Sequence, residues 1–353
     1  MRNPPLTKKE QLGLYYLVRY PDYNDRELAE VTNLKLSTVT AIRRRLKRRG
    51  FYYTIVVPKL QMMGYEMLAV GYGRLKDPGE HVDTEKLLDK FSLLNKAFYM
   101  CSDPNSEITL NMADNYTDIR RDIEDFQQYF AYHDMLEESR WNTVIFPYRL
   151  TSTVNYFDLS RIVQRAFNLN VKPLAEEIAP DKTGETRLTA KERKVFRTIV
   201  TNPEMPDSVI AERADVSRQA VSAMKKRFLT DGLIENKRVL NLDALGYQIV
   251  SFVHQKIQIG VPEKERHRLL KKIAAEMPTF FFVTGMTEFV MMTAHKDFQD
   301  YTESMTAFST MVKSSGFSLE NPVRLILSVP GMTDVRKHEY GPIIDQMLEK
   351  TAE

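Results

Sequence analysis

The sequence predicts an α+β protein in which one two-part unit is used twice. The unit is a group of three helices followed by a strand–helix–strand–strand–helix–strand run. Three observations lead there. Residues 6–65 laid over 188–247 without a gap are identical at seventeen of sixty positions, including Pro21/Pro203, Asp25/Asp207, Gly50/Gly232 and the Gly-Tyr pairs at 64–65 and 246–247. Both copies place apolar residues at helical spacing and close the third helical stretch with that shared glycine. After each copy, at 66–150 and 248–330, short β-branched and aromatic runs alternate with helical patterns in the same order.

The elements follow in chain order. Thr7 and Thr189 start the first helices, and Glu10 and Glu192 three residues later complete capping boxes. These helices stop at "YPDY" and "NPEM". Short second helices start near Asp25 and Asp207. The turns "NLKLS" and "DVSRQ" lead into third helices of about 13 residues, ended by Gly50 and Gly232. "FYYTIVVPKL" and "LIENKRVLNL" then read as paired strands, which makes each trio a winged helix-turn-helix. The following run gives "EMLAVGYGRL", a helix at 83–94, "KAFYMCS", "EITLNMA", a helix at 116–132 and "RWNTVIFPY" in copy one. In copy two it gives a strand at 248–259, a helix at 262–276, "TFFFVTG", "EFVMMTAH", a helix at 297–315 and "PVRLILSV". That order predicts a ferredoxin-like (ACT/RAM-like) domain, an antiparallel four-stranded sheet with both helices on one face. Domains are therefore drawn at 1–60 and 188–245 for the winged helices and at 61–150 and 246–330 for the sheet domains. Residues 151–187 are read as a linker, with an amphipathic helix at 152–169 and a Pro/Gly-containing stretch at 179–187, and 331–353 as a tail ending in a short helix.

The third helices hold the candidate site. Six of the seven residues Arg43 to Arg49 are Lys or Arg, and 35–50 contains seven cations and no acid. Val39, Ile42 and Leu46 fall on one stripe, as do Val221, Met224 and Phe228, and are expected to pack on the other two helices. Ser37, Thr40, Ala41, Arg44 and Arg48 point the other way in copy one. Gln219, Ser222, Ala223, Lys226 and Thr230 match them in copy two. Small polar residues at a helix start, followed by cations, suit entry into a DNA major groove. The short side chains reach base edges and the cations reach bases or phosphates. The candidate DNA contacts are Ser37, Thr40, Arg43, Arg44, Lys47 and Arg48, and Arg218, Gln219, Ser222, Lys225 and Lys226. Asp231 and Glu235 dilute the charge of copy two, whose helix is alternatively a packing or dimerisation element.

Composition bounds the reading. With 43% hydrophobic and 27% charged residues the 353-residue chain is globular and long enough for several domains. Net charge is +3, but residues 1–60 carry 13 Lys/Arg against 5 Asp/Glu and 184–243 carry 12 against 9, so the basic charge sits in two blocks. No apolar run approaches the roughly 20 residues that cross a bilayer, and the start lacks a signal-peptide core. The single cysteine, Cys101, fits a reducing cytoplasm. The six histidines show no metal-ligand spacing, and there is no P-loop, GxGxxG or GxSxG. The reading is that of a non-enzyme without metal or cofactor.

A winged helix joined to a βαββαβ domain, with "IAERADVSRQAVSAMKKRFLTDGLI" followed by "LNLDALGY", resembles the Lrp/AsnC (feast/famine) family of transcription regulators, common in bacteria and archaea. The resemblance covers about 6–148 and 188–330, tandem-duplicated within one chain, and implies a cytoplasmic, archaeal-type regulator binding double-stranded DNA. In that family the sensor domains pair through their sheets, which implies an intrachain pseudo-dimer here, with a homodimer as a further option. Family members bind small effectors, often amino acids, near the hairpin after the central strands. By position this implies Gly285, Met286, Thr287 and Glu288 as an effector site. Copy one has 101–106 in place of a glycine turn. Two alternatives stand beside this reading. One is an architectural DNA protein that compacts chromosomes. The other is an enzyme like the siroheme decarboxylases, which share the fold, sometimes as fused subunits. Their pattern includes a His-Asn-Tyr stretch, where this chain's nearest string is "ADNY" at 113–116, without the histidine.

Overall fold

The computed structural model describes residues 5–76, 96–132, 136–171, 178–317 and 320–350. In chain order its elements are α1 (Lys8–Arg19), α2 (Asp25–Thr32), α3 (Leu36–Arg48), β1 (Tyr52–Pro58), β2 (Met67–Leu75), β3 (Ala97–Asp103), β4 (Ser106–Ala113), α4 (Tyr116–Tyr132), β5 (Leu136–Pro147), β6 (Ser152–Tyr156) and α5 (Ser160–Phe167). Then come α6 (Ala190–Thr201), α7 (Asp207–Ala214), α8 (Arg218–Thr230), β7 (Ile234–Leu240), β8 (Ile249–Lys256), α9 (Glu263–Glu276), β9 (Thr279–Thr284), β10 (Glu288–His295), α10 (Phe298–Ser315), β11 (Val323–Ser328), β12 (Thr333–Lys337) and α11 (Gly341–Lys350). The chain is thus a mixed α+β protein. The helix expected at 83–94 lies outside the described residues.

Local chemistry explains the helical trios. Thr7 and Thr189 accept hydrogen bonds from the backbone of Glu10 and Glu192, whose carboxylates bond back, so both capping boxes form. Gly50 and Gly232 each take φ 68°, the left-handed turn that ends α3 and α8. Val39, Ile42 and Leu46 are buried, as are Val221 and Phe228, while Met224 is half-buried. The strand after each trio is single: β1 and β7 pair with each other in a two-stranded ribbon, rather than each forming a wing within its own copy.

The chain folds into two compact units that do not follow chain order. Unit one joins residues 1–54, 151–180 and 236–330, and unit two joins 55–150, 181–235 and 331–353. Unit one therefore combines α1–α3 with the later sheet, and unit two combines α6–α8 with the earlier one.

In unit one the sheet order is β11-β8-β10-β9-β6, with every pairing antiparallel. The βαββαβ run contributes four of these strands, and β6 adds itself to the edge at β9. On the helix face, Leu270 and Ile273 of α9 and Met305 and Phe308 of α10 pack with Val253, Phe282, Phe289 and Met291. In unit two the order is β12-β3-β4-β2-β5, again antiparallel, with β12 added at β3. There Ile119 and Ile123 of α4 pack on Ala69 and Ala113.

Two expectations for the connecting segments are corrected. The stretch 152–169 is not one helix: 152–156 is the strand β6, and α5 begins only at Ser160. Phe157 breaks the path with φ 55°, and the Asp158 carboxylate accepts from the Ser160 N–H to start the helix. The C-terminal tail likewise carries β12 before its helix, with His338 at φ 58° between them. The two segments match in detail. β6 slips register between Thr153 and Asn155, and β12 slips between Asp334 and Arg336, each with a valine at the bulge. Asn155 donates to the Thr279 carbonyl (3.0 Å) in unit one, and Arg336 donates to the Ala97 carbonyl (3.0 Å) in unit two.

The paired Gly-Tyr motifs acquire a purpose from these segments. Tyr247 Oη donates to the Ile162 carbonyl of α5 at 3.0 Å, and Tyr65 Oη donates to the Ile343 carbonyl of α11 at 3.1 Å. In unit one Asp158, just before α5, also reaches α1 through its ion pair with Arg19. In unit two α11 reaches α6 through Arg197 and Asp345 (Nη2 to Oδ2, 2.7 Å).

Candidate nucleic-acid interface

On α3 the cations divide into two groups. Arg43 is half-buried: its Nε lies 2.7 Å from Asp25 Oδ1, and its Nη2 donates to the Tyr23 carbonyl at 2.8 Å. Arg45 Nε lies 2.7 Å from Glu10 Oε1, with Arg49 Nη1 at 3.8 Å from the same oxygen. Burial opposes ionisation of Glu10. The hydrogen bonds from Thr7 and the charges of Arg45 and Arg49 outweigh it and hold the carboxyl below its usual range. These pairs tie α3 to α1 and to the start of α2. Arg44 and Arg48 are exposed and make no ion pair or side-chain hydrogen bond among the described residues. Ser37, Ala41 and Lys47 are exposed too. Thr40 is exposed but committed, since its hydroxyl donates to Asp25 Oδ2 at 2.6 Å.

On α8 the same scheme recurs with other side chains. Lys225 Nζ lies 2.5 Å from Asp207 Oδ1, and Arg227 Nη1 lies 2.6 Å from Glu192 Oε1. Arg218, Gln219, Ser222 and Lys226 are exposed. Ser222, at the position of Thr40, makes no side-chain hydrogen bond among the described residues, so the hydroxyl held in one helix is available in the other. Of the residues expected to face DNA, the structure thus draws Arg43, Thr40 and Lys225 into intramolecular pairs and leaves Ser37, Arg44, Arg48, Arg218, Gln219, Ser222 and Lys226 on open helix faces. The signal for this was present in the sequence. Asp25/Asp207 and Glu10/Glu192 are identical in both copies, as is the positive charge at 43/225 and 45/227.

The turn expected to hold an effector is braced by hydrogen bonds within its hairpin and from the neighbouring β8 end and α9. The Gly285 N–H donates to the Glu288 carbonyl (2.9 Å), the Thr287 carbonyl accepts from Ile257, and the Met286 carbonyl accepts from Arg266 Nη1 (2.9 Å). Glu288 Oε2 lies 2.9 Å from His254 Nε2, so the carboxylate expected to meet an amino group already has a partner. The corresponding turn in unit two is Pro104-Asn105, where the Asn105 N–H is held by Asp103 Oδ1 (3.0 Å).

One of the six histidines set aside on sequence grounds, His295, ends β10 in the sheet of unit one. Ala113-Asp114-Asn115-Tyr116 spans the β4–α4 junction, and the corresponding β10–α10 junction starts with Ala294-His295. His295 is fully buried, its Nε2 lies 2.8 Å from Thr293 Oγ1, and burial pushes the ring down to about 4. No group of three His, Cys, Asp or Glu able to hold a metal occurs among the described residues. No described helix is long and apolar enough to cross a membrane.

No family model and no curated protein matches the sequence. Among solved structures, the siroheme decarboxylase NirDL matches with a TM-score of 0.52 and 10% identity, covering 98% of this chain and 100% of that one. The same enzyme in complex with an iron-uroporphyrin III analogue matches with a TM-score of 0.50 and 11% identity over the same shares. An AsnC family transcriptional regulator from Agrobacterium tumefaciens and E. coli AsnC match 40% of this chain and 90% and 93% of theirs. Their TM-scores are both 0.33, at 12% and 13% identity. At these identities the likeness concerns the fold. The expectation that this chain is not an enzyme is overturned by it, because the fold that runs through nearly the whole chain is also that of a decarboxylase.

Proposed function

We propose that the chain is a DNA-binding regulator with two winged helices and two ferredoxin-like domains, arisen by tandem duplication along the boundaries drawn from sequence. The observation that carries the reading is the exposed face of α3. It presents Arg44 and Arg48 uncommitted, beside Ser37 and Ala41, on a stretch without a single acid. A helix face that merely meets solvent has no reason to exclude acids, whereas one facing phosphates does. Double-stranded DNA is the partner, with α3 and α8 in major grooves and an amino-acid-like effector as the regulatory option at 285–288. The test compares affinity for a selected site and for random DNA at one salt concentration. Equal affinities identify an architectural DNA protein, and no binding to either removes the reading.

A second reading is an iron-tetrapyrrole decarboxylase, supported by the full-length fold match to NirDL. It predicts a bound porphyrin-type absorption band in purified protein, or a change in that band when an iron tetracarboxylic porphyrin is added. Absence of any spectral change at stoichiometric porphyrin counts against it.

A further inference from the structure

In unit one, α9 carries a second basic face, separate from α3. At 100° per residue, Lys264, Arg268, Lys271, Lys272 and Ala275 fall in one sector of about 100°, opposite the buried Leu270 and Ile273. All five are exposed, and the four cations make no ion pair or side-chain hydrogen bond among the described residues. The acids of the helix stand at the margins of that sector. Glu263 Oε1 lies 3.7 Å from His267 Nε2, and Glu265 and Glu276 fall on the Leu269 side. The pattern works against the helix itself. Lys264, Arg268 and Lys272 repeat every fourth residue, so like charges adjoin on successive turns, and Lys264 meets the positive end of the macrodipole. A face that meets only water gains from opposite charges at that spacing, as on α4, where Arg120 Nε lies 3.0 Å from Glu124 Oε1.

A run of like charges suits an extended anion, here one spanning about 12 Å, the rise of eight helical residues. The surroundings select among anions. Alongside on α10, the face from Thr302 to Thr310 exposes nothing more apolar than Ala307, and the hydroxyls of Thr302, Thr306 and Thr310 are spent on carbonyls of their own helix. A lipid surface or an acidic protein binds through apolar contact as well as charge, whereas a phosphate backbone is held by cations alone. The helix also shares its unit with α3. α1 packs on both α3 and α5, and Arg161 and Arg165 of α5 donate to the Ala275 and Glu276 carbonyls at the end of α9. We propose that α9 is a second, sequence-independent contact for double-stranded DNA, its four cations holding phosphates of a stretch beyond the one that meets α3. The proposal rests on the DNA-binding reading of α3 and extends the footprint of unit one past a single groove.

The test is a fluorescence titration of the full chain at several salt concentrations, with duplexes of about 12 and about 36 base pairs, roughly one and three helical turns. One variant combines Lys264→Ala, Arg268→Ala, Lys271→Ala and Lys272→Ala. A second carries Gln at the same four positions, and circular-dichroism melts matching wild type guard against a folding defect. On the long duplex both variants should flatten the slope of log affinity against log salt by about 1.8–3.6, at about 0.9 for each of two to four lost contacts, and on the short duplex they should leave it unchanged. An unchanged slope on the long duplex overturns the proposal, as does equal flattening on both. Loss of binding to phosphatidylserine vesicles with DNA binding intact also overturns it, and assigns the face to a lipid surface. Arg44→Ala with Arg48→Ala separates this proposal from the reading beneath it. If that pair abolishes short-duplex binding while the α9 variants change nothing, the α9 proposal alone falls; if wild type binds neither duplex, both fall.

Discussion

Replacing Arg44 and Arg48 together with Ala tests the division of the α3 cations most directly. Both side chains are exposed and uncommitted, whereas Arg43 and Arg45 spend their charge on Asp25 and Glu10 at 2.7 Å each. Each phosphate contact contributes about 0.9 to the slope of log affinity against log salt, so losing two flattens the slope by about 1.8. Between ~50 and ~200 mM salt, the ratio of wild-type to variant affinity should then shrink by about twelvefold. The assay is a fluorescence titration of one labelled duplex at four or five salt concentrations. Arg43→Ala serves as the contrast. It removes a pair that is partly screened by solvent, so it should cost on the order of 1 kcal/mol or less in stability and leave the salt slope near the wild-type value. If Arg43→Ala flattens the slope as much as the double variant does, or the double variant leaves it unchanged, the assignment of free and committed cations is wrong.

Gln219→Ala should erase the preference for one base pair, an adenine-containing one, at a discrimination cost of about 1–3 kcal/mol. Nonspecific affinity should stay as it was, and selection from randomised DNA shows the change. His338→Phe should make stability less sensitive to acid. Burial first, and then the Lys337 charge, drive the folded imidazole from 6.5 down to about 3, so the unfolded chain binds the extra proton as pH falls through that window and stability is lost there. At pH about 5 this costs about 2 kcal/mol, and the variant, whose counterpart Phe157 has a matching φ of 55°, should recover most of it in urea melts at pH about 5 against about 7.5. Thr189→Ala should cost about 1 kcal/mol by removing one capping box, and the same change at Thr7 should cost a similar amount, both read from chemical denaturation.

The elements of this protein are local events, and the sequence by itself determined them. Capping boxes, a glycine at the left-handed turn and apolar periodicity act over a few residues, so α1 to α3 and α6 to α8 begin and end close to where those signals sit. The two sheet runs were legible for the same reason, each strand being a short apolar stretch bounded by turns. What only the tertiary structure decided is partnership. β6 and β12 were hidden because five-residue edge strands carry little apolar signal, and their bulged registers come from the strands they join, β9 and β3, distant in sequence. The assignment of α1–α3 to the later sheet was equally invisible, since either sheet carries a similar pattern and nothing local distinguishes them. At the candidate interface, the exposed face could be read from 100° spacing. Asp25, which takes Thr40 and Arg43 out of that face, lies in another helix, and only packing brings it there.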